Sequence, residues 1–323
     1  MKISIIIPTY NRANYILHTL KSLIDQSLKN EFYEIIICNN CSSDDTESNV
    51  LEFIRTNKKL NLIYITETRQ GVHYARNTAA KFAKGDFLYF TDDDMVADYN
   101  MLESLLNVFY LDERISCATG KVLPIWEKKP KKWVFQICYN YLLSLNNPVE
   151  DLIVSKNDIN IFSCHQMIKK EVFFKSGGFN PENTKGVWVG DGETGLNNKI
   201  KELGGMFAYT AQSITHHCIP IDRTTQSYLN KRLKNQGNCD SYTRYKESNK
   251  SYLNLSYNVI KNIVLFNLNF FSFIYFLIVL NNKFRLKFSC FYYFYAKILY
   301  DIKLLTNKKF TEVVNIDNWL EIN

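Results

Sequence analysis

The sequence predicts an α/β fold, a doubly wound mixed sheet flanked by helices, and three observations carry that expectation. Short continuous apolar runs recur at 3–7, 34–38, 60–66 and 87–90, the pattern of strands buried on both faces. Segments with apolar residues at helical spacing lie between them. Each run closes in turn-forming or acidic residues, and in such sheets the loops after the strands share the ligand-binding edge.

Ile3 to Ile7 is closed by Pro8-Thr-Tyr-Asn-Arg12, and Ile16, Leu17, Leu20, Leu23 and Ile24 then fall on one helical face. The second run, 34–38, leads into a loop dense in turn formers, Asn39 to Thr46. A helix over 46–56, a strand over 60–66 and an Ala-rich helix over 74–83 follow, before Gly85 opens the fourth strand. That strand ends in Asp92, Asp93 and Asp94. Three adjacent anions repel one another and aspartate is a poor strand former. One reading is a hard divalent cation, Mg²⁺ or Mn²⁺, which takes oxygen ligands and leaves places for phosphate oxygens. The other is a solvated acidic turn capping a helix over 100–110. No G-x-G-x-x-G follows the first strand and no G-x-x-x-x-G-K-[ST] occurs, which counts against dinucleotide dehydrogenases and P-loop enzymes.

With 46% hydrophobic and 22% charged residues, the 323-residue chain can bury a full core. The net charge of +7 is uneven: residues 1–220 hold 24 Lys and Arg against 25 Asp and Glu, and residues 221–323 hold 15 against 7. A near-neutral body with a basic, aromatic tail suggests an anionic partner for the tail alone, membrane phospholipid before nucleic acid. The eight cysteines lack disulfide-scaffold spacing, and Cys38-x-x-Cys41 has no matching second pair for zinc. The N-terminus enters a strand pattern directly, with no signal-peptide signature, so a cytoplasmic protein with free thiols is expected.

Four stretches then resemble the family-2 glycosyltransferases. Ser4 to Arg12 resembles their opening strand, and Ile37 to Thr46 resembles their V-D-[DN]-G-S-x-D-x-T loop. Gly71-Val-His-Tyr-Ala-Arg-Asn77 is similar to their G-x-x-x-A-R-N helix start, and Phe87 to Asp94 to their strand ending in D-x-D. The resemblance implies a GT-A fold. A nucleotide-sugar-binding half would occupy 1–120 and an acceptor-binding half with the catalytic base 121–240. A basic, aromatic helical extension would occupy 241–323. It further implies that Pro8 and Tyr10 line the nucleobase and ribose, that Asn40 pairs with the base edge and that Arg76 approaches the donor or its diphosphate. Asp94 would be the direct metal ligand, with Asp92 in support and Asp93 beside the donor. Asn39 stands where the family usually has Asp, and Cys41 where it usually has Gly, which leaves a uridine donor open.

In the second half, a strand is expected over 114–124, a helix over 133–145 and a basic helix over 228–236 closed by Gly237. Gly190-Asp-Gly-Glu-Thr-Gly-Leu196 resembles the family's G-E-D-x-x-L motif, whose second carboxylate is the catalytic base. That position holds Glu193, and the preceding acid is displaced to Asp191. Either can serve, because an inverting transfer needs one ionised carboxylate near the acceptor hydroxyl. Alternatively both are helix N-terminal acids. His216, in Ile214-Thr-His-His217, is the candidate to complete the metal site, and Arg232 reaches phosphate or is a solvated face. His165 reads as packing.

Residues 263–280 are uncharged and lie at the lower length limit for a membrane span. A second apolar stretch, 288–305, follows Lys283, Arg285 and Lys287. Either the pair meets a membrane surface, with the protein at the inner face of the cell membrane, or it packs on the domain or a second subunit. The expected function is a metal-dependent, inverting glycosyltransferase of polysaccharide biosynthesis. It would use a nucleoside diphosphate sugar and a glycan or lipid-linked acceptor, with no nucleic acid partner. A nucleotidylyltransferase would carry a Gly-rich basic loop after the first strand, and a non-catalytic nucleotide-sugar binder would show no donor hydrolysis.

Overall fold

Strand β1 (Ile3–Thr9) is buried at every position, which is why its sequence is an unbroken apolar run. The computed structural model describes residues 2–137, 142–157, 159–184, 187–248 and 251–321. Beside β1 lie β2 (Tyr33–Asn39) and β4 (Phe87–Thr91), with β3 (Leu62–Thr66) outside β2, all parallel. One face carries Ile3, Ile5 and Ile7 into a cluster with α1 (Ile16–Ile24), α2 (Thr46–Thr56) and α4 (Met101–Val108). The other carries Ile6, Ile36 and Phe90 against the alanines of α3 (Val72–Phe82) and against α6 (Lys170–Lys175).

Gly85 lets the turn before β4 cross β1 closely, since a Cβ there would stand 2.6 Å from the Ser4 nitrogen. Its N–H donates to Ser4 Oγ (2.8 Å), which in turn donates to Glu34 Oε1 (2.6 Å), so the polar atoms at this crossing are paired.

The second half extends the same sheet. Its remaining strands are β5 (Met95–Ala97), β6 (Ile115–Trp126), β7 (Leu152–Ser155), β8 (His165–Lys169) and β11 (Met206–Ile219). A separate pair joins β9 (Asn183–Thr184) and β10 (Val187–Trp188). Among the described residues the main sheet has nine strands in the order β3-β2-β1-β4-β8-β6-β11-β5, with β7 also on β11. The sheet is mixed because β8 runs antiparallel between β4 and β6. The two halves therefore share one sheet, as the GT-A resemblance implies.

Three sequence expectations change. Helix α5 covers only Lys132–Ile137 of the span expected at 133–145, and residues 138–141 lie outside the described residues. The strand before the histidine pair is long, and β11 carries both histidines inside it, beyond a register shift against β6 between Thr210 and Ile214. Gly237 does not stop its helix, and α8 runs Gln226–Glu247. A Cβ at Gly237 would lie 2.4 Å from the Tyr293 carbonyl oxygen, so the glycine serves close helix approach instead of a C-cap.

The chain ends in α9 (Tyr252–Ile278), α10 (Lys283–Thr306) and α11 (Lys308–Val314). Helix α10 packs along α8, and the buried Asp301 accepts from Arg244 Nη2 at 2.8 and 2.6 Å. The last residues return to the sheet's helical layer. Leu320 joins the cluster around Phe90, and Trp319 N–H donates to the Gly177 carbonyl at 3.0 Å. Most of 241–323 is therefore built into the body of the protein. Helix α9 is the exception: it packs on α10, its Leu255 joins Tyr242 and Tyr245 of α8, and much of its remaining surface is exposed.

Candidate active site

A cleft of about 630 Å³ opens at the carboxyl ends of β1, β2 and β4. The loops that form the wall after β1 and β2 are tied to one another. Asn11 N–H donates to Ser42 Oγ (3.0 Å), Ser43 N–H to Asn11 Oδ1 (2.8 Å) and Arg12 N–H to Thr46 Oγ1 (2.8 Å). Pro8 and the half-exposed Tyr10 line this wall, where the sequence placed them.

Asn40 lines the cleft too, but its amide is already engaged. Nδ2 donates to the carbonyls of Glu67 (2.8 Å) and Arg69 (2.9 Å), and Oδ1 accepts from Gly71 N–H (2.7 Å). Both amide hydrogens are used, so Asn40 splices the loop after β2 to the start of α3 and offers no donor to a base edge. The expected base pairing is corrected on that ground.

The three aspartates face three arginines. Asp92 pairs with Arg76, Asp93 Oδ1 lies 3.3 Å from Arg12 Nε, and Asp94 Oδ2 accepts from Arg223 Nη2 at 3.1 Å. Arg76 is itself buried, stacked over the Phe179 ring at 5.5 Å, so it braces Asp92 from below. Burial, reinforced by the Asp94 charge, pushes the Asp93 carboxyl up to about 8. Burial also opposes charge on Asp94, but His217, Arg223 and Arg12 hold its carboxyl well below the usual range. One oxygen remains unused: Asp94 Oδ1 is buried without a hydrogen-bond partner. An orphaned carboxylate oxygen at a phosphate-sized cleft is what a divalent cation would satisfy.

The histidine beside that oxygen is His217, not His216. Successive side chains of a strand point to opposite sides. His216 Nε2 pairs outward with Asp98 Oδ1 at 2.9 Å, whereas His217 is buried with Nε2 3.7 Å from Asp94 Oδ1. Its tautomer follows from its partners. Nδ1 faces the Leu143 carbonyl at 2.9 Å and must donate, and Nε2 accepts from Arg223 Nη1 at 2.7 Å. Nε2 is thus unprotonated, and its single lone pair, held here by Arg223, opens to a metal once Arg223 turns away.

Across the cleft, α7 (Gly192–Glu202) starts at Asp191. Asp191 is buried, accepting from Asn180 Nδ2 and Thr243 Oγ1, both at 2.8 Å, and burial raises its pKa. It anchors the helix start to α8. Both acids line the cleft, and Glu193, less buried than Asp191, has its Oε2 accepting from Ser163 Oγ at 3.1 Å. Glu182 and His73 complete a group with Glu193 whose ligand atoms lie within 4.8 Å of one another, a second place that could hold a metal. Burial, with the Glu193 charge, pushes Glu182 up to about 8, and burial keeps His73 neutral. Gly192 has φ +55°, and a Cβ there would strike Glu182 Oε1 at 2.3 Å and His73 Cε1 at 2.7 Å. The glycine that displaces the first acid to Asp191 is thus required by the pair behind Glu193.

Residues 4–177 match the family described as Glycosyl transferase family 2. The chain belongs to that family. Curated relatives include the UDP-Glc:alpha-D-GlcNAc-diphosphoundecaprenol beta-1,3-glucosyltransferase WfgD of Escherichia coli, 37% identical over 118 residues, 36% of this chain and 44% of that protein. The putative teichuronic acid biosynthesis glycosyltransferase TuaG of Bacillus subtilis is 34% identical over 116 residues, again 36% and 44%. The chain thus spans less than half the length of these relatives. Among solved structures, the mannosyltransferase PcManGT from Pyrobaculum calidifontis, in complex with GDP-Man and Mn²⁺, matches with TM-score 0.60 at 19% identity. That match covers 95% of this chain and 88% of the other, and it shows a shared GT-A fold.

Within this family-2 chain, sequence reasoning missed Arg12, Arg223, His73, Glu182 and Ser163. Arg12 closes the first motif and His73 lies inside the third, so proximity to a motif could have flagged both. Arg223 and Glu182 stand in loops with no periodic or motif signal, and only the fold brings them to the cleft.

Proposed function

We propose that the chain is a metal-dependent, inverting glycosyltransferase. It would move a sugar from a nucleoside diphosphate sugar to a hydroxyl of a lipid-linked or cell-surface glycan. The observation that carries this reading is one cleft lined by Asp92–Asp94 on one side and Glu193 on the other, with Asp94 Oδ1 left without a partner. Pro8 and Tyr10 offer a wall for base and ribose, while Arg12 and Arg223 supply positive charge for the diphosphate. A divalent ion, Mn²⁺ or Mg²⁺, held by Asp94, Asp92 and His217 would neutralise charge on the leaving diphosphate.

Glu193 takes the proton from the acceptor hydroxyl, oriented by the Ser163 hydroxyl on Oε2. The acceptor oxygen forms its bond to the anomeric carbon as the bond to the diphosphate oxygen breaks. That electron pair leaves with the nucleoside diphosphate. Attack opposite the leaving group inverts the centre. Burial and the Glu193 charge push the Glu182 carboxyl up, which favours its protonated form beside Glu193. The functions that the names of WfgD and TuaG carry favour a lipid-linked or polymeric envelope acceptor. They also favour a working place at the inner face of the membrane, where such acceptors meet cytoplasmic nucleotide sugars.

The test is a thermal-shift screen of UDP-, GDP-, dTDP- and CDP-sugars with Mn²⁺ and with chelator. One donor class should raise the melting temperature with the metal present and lose that effect with chelator. No metal-dependent shift with any of the four would refute the donor site.

A further inference from the structure

Helix α9 is apolar on the face that points to water as well as on the face packed against α10. Tyr257, Ile260, Val264, Leu268, Phe271 and Tyr275 recur in steps of three and four, forming a single stripe, and each is more than half exposed. The opposite face packs on α10 and is mixed: Leu255, Asn262 and Asn269 are buried, and Phe266 and Phe273 stack on Phe291. Asn262 Nδ2 lies 3.4 Å from Asp301 Oδ2, and Asn269 Nδ2 donates to the Lys287 carbonyl at 2.8 Å. Ser289 and Asp301 of α10 are fully buried beside them. A contiguous exposed stripe over a helix of 27 residues marks a contact surface.

The charge around the stripe indicates what covers it. Lys261 is the sole charged residue on α9. At the turn into α10, Asn282 Nδ2 donates to Gln136 Oε1 of α5 at 3.1 Å, and Arg285 stacks over Trp133 at 5.0 Å. The segment leading into α5 therefore sits at the same end of the hairpin. It carries Lys128, Lys129, Lys131 and Lys132, all exposed, and Lys283 joins them. The neighbouring acid, Glu127, accepts from Ile221 N–H at 2.8 Å. An apolar stripe ending in clustered lysines complements a lipid interface with anionic headgroups.

The geometry points to α9 as an in-plane membrane-docking helix for anionic phospholipid, with the lysines around α5 as its headgroup contacts. Spanning is disfavoured by the partner helix. α10 carries Lys297, Asp301 and Lys303, and its Asp301 is ion-paired to Arg244 of α8, so α9 is held along one side by charged protein. The inference deepens the membrane location proposed above, but it rests on surface chemistry and needs no sugar transfer.

Cosedimentation of the full chain with vesicles tests it, with no sugar nucleotide present, so that its failure leaves the transferase reading standing. Vesicles of phosphatidylcholine with phosphatidylglycerol should pull the protein down, and phosphatidylcholine alone should bind at least about tenfold less. Raised salt should weaken binding. Ile260→Glu with Phe271→Glu should abolish binding, and Lys129→Glu with Lys132→Glu should remove the preference for the anionic lipid. Circular dichroism and melting temperature close to those of the parent would show that both variants fold. Equal binding to both vesicle types, or no binding, would overturn the proposal. So would a lipid-free dimer, by light scattering, that Ile260→Glu with Phe271→Glu converts to monomer, because the stripe would then belong to a second copy.

Discussion

His217 Nε2 stands 3.7 Å from Asp94 Oδ1, while its neighbour His216 is turned away to Asp98. The pairing is made by backbone. Beyond its register shift β11 takes up a position beside β5, where His217 pairs with Met95 and Cys218 N–H donates to the Asp94 carbonyl at 2.9 Å. Irregularities of this kind re-aim the side chains that follow them. The strand thus delivers an imidazole to the third aspartate from a residue more than 120 positions away.

His217→Ala should therefore lower sugar transfer and weaken the metal-dependent thermal shift by about 10-fold or more, as loss of one ligand from a small set does. His216→Ala should change either by no more than about twofold, because it removes only a half-exposed pair with Asp98. Measuring transfer against Mn²⁺ concentration separates the two. Equal loss in both variants would exclude His217 as a ligand.

Glu193→Gln keeps the size of the side chain and its contact with Ser163 but removes the base. Transfer should fall by about 10²–10⁴-fold with donor affinity held. Glu182→Gln should cost far less at neutral pH, since burial and the Glu193 charge already favour the protonated form of its carboxyl. Single-turnover rates and donor titration on the two variants check the ranking. Intact turnover in Glu193→Gln would move the base elsewhere.

Gly192→Ala tests why the acidic motif is split. The φ of +55° and the approach to Glu182 and His73 both oppose a Cβ. The cost should be about 1–3 kcal/mol of stability, seen as a lower denaturant midpoint. A drop in turnover should accompany it as Glu193 shifts. Gly204→Ala, at φ +81° but with nothing within 4 Å of its Cβ, is the control for backbone strain alone.

Much of the first half was legible because its strands are buried on both faces, so each shows as an unbroken apolar run with a turn at its end. Asp92–Asp94 were legible for a related reason, since three adjacent charges at the end of a buried strand are costly without a partner, whereas Glu193, an acid that a helix start favours in any case, was legible through the motif resemblance alone. Other features depend on distance in the chain. Which of two adjacent histidines faces Asp94 is set by the register of β11, and sequence pattern does not encode it. Asn40 looked like a base contact because its loop is at the right edge, but the Gly71 N–H and two carbonyls claim its amide. Gly237 carried a helix-stop signal and instead admits the Tyr293 backbone. Apolar content in 263–280 was plain, whereas which apolar residues face α10 and which stay exposed required the packing of α10.

The Arg244–Asp301 pair joins the tail to the body, and Asp301 is fully buried. Arg244→Met would strand that carboxylate, leaving Asn262 as a weak partner, and should cost about 3 kcal/mol. Arg244→Met with Asp301→Leu should recover most of the loss, because the penalty lies in the unpaired charge. The loosened tail should also cost activity. Thr243, next to Arg244, holds Asp191, and Tyr300, next to Asp301, donates to the Val189 carbonyl at 2.5 Å. Denaturant curves for the single and double variants read the cycle.

His165 supplies a test of pH. It is fully buried between β4 and β11, where Nδ1 lies 2.9 Å from Tyr89 Oη and Nε2 3.2 Å from Ser213 Oγ. Ser213 gives its own proton to the Met101 carbonyl at 3.0 Å, so Nε2 donates to Ser213 and Nδ1 accepts from Tyr89. Every position on the ring is used by the neutral form, and burial pushes its pKa down from 6.5 to about 4. The unfolded chain therefore takes up a proton below pH 6.5 that the folded chain refuses until about pH 4. Stability is full above pH 6.5 and is lost as pH falls toward 4, by about 3 kcal/mol across the window. His165→Gln keeps one donor and one acceptor and cannot titrate. It should be less stable than the parent at pH 7 but should lose less on acidification. Urea midpoints at neutral and mildly acidic pH would show the two curves converging, and parallel curves would mean that the acid sensitivity lies in other groups.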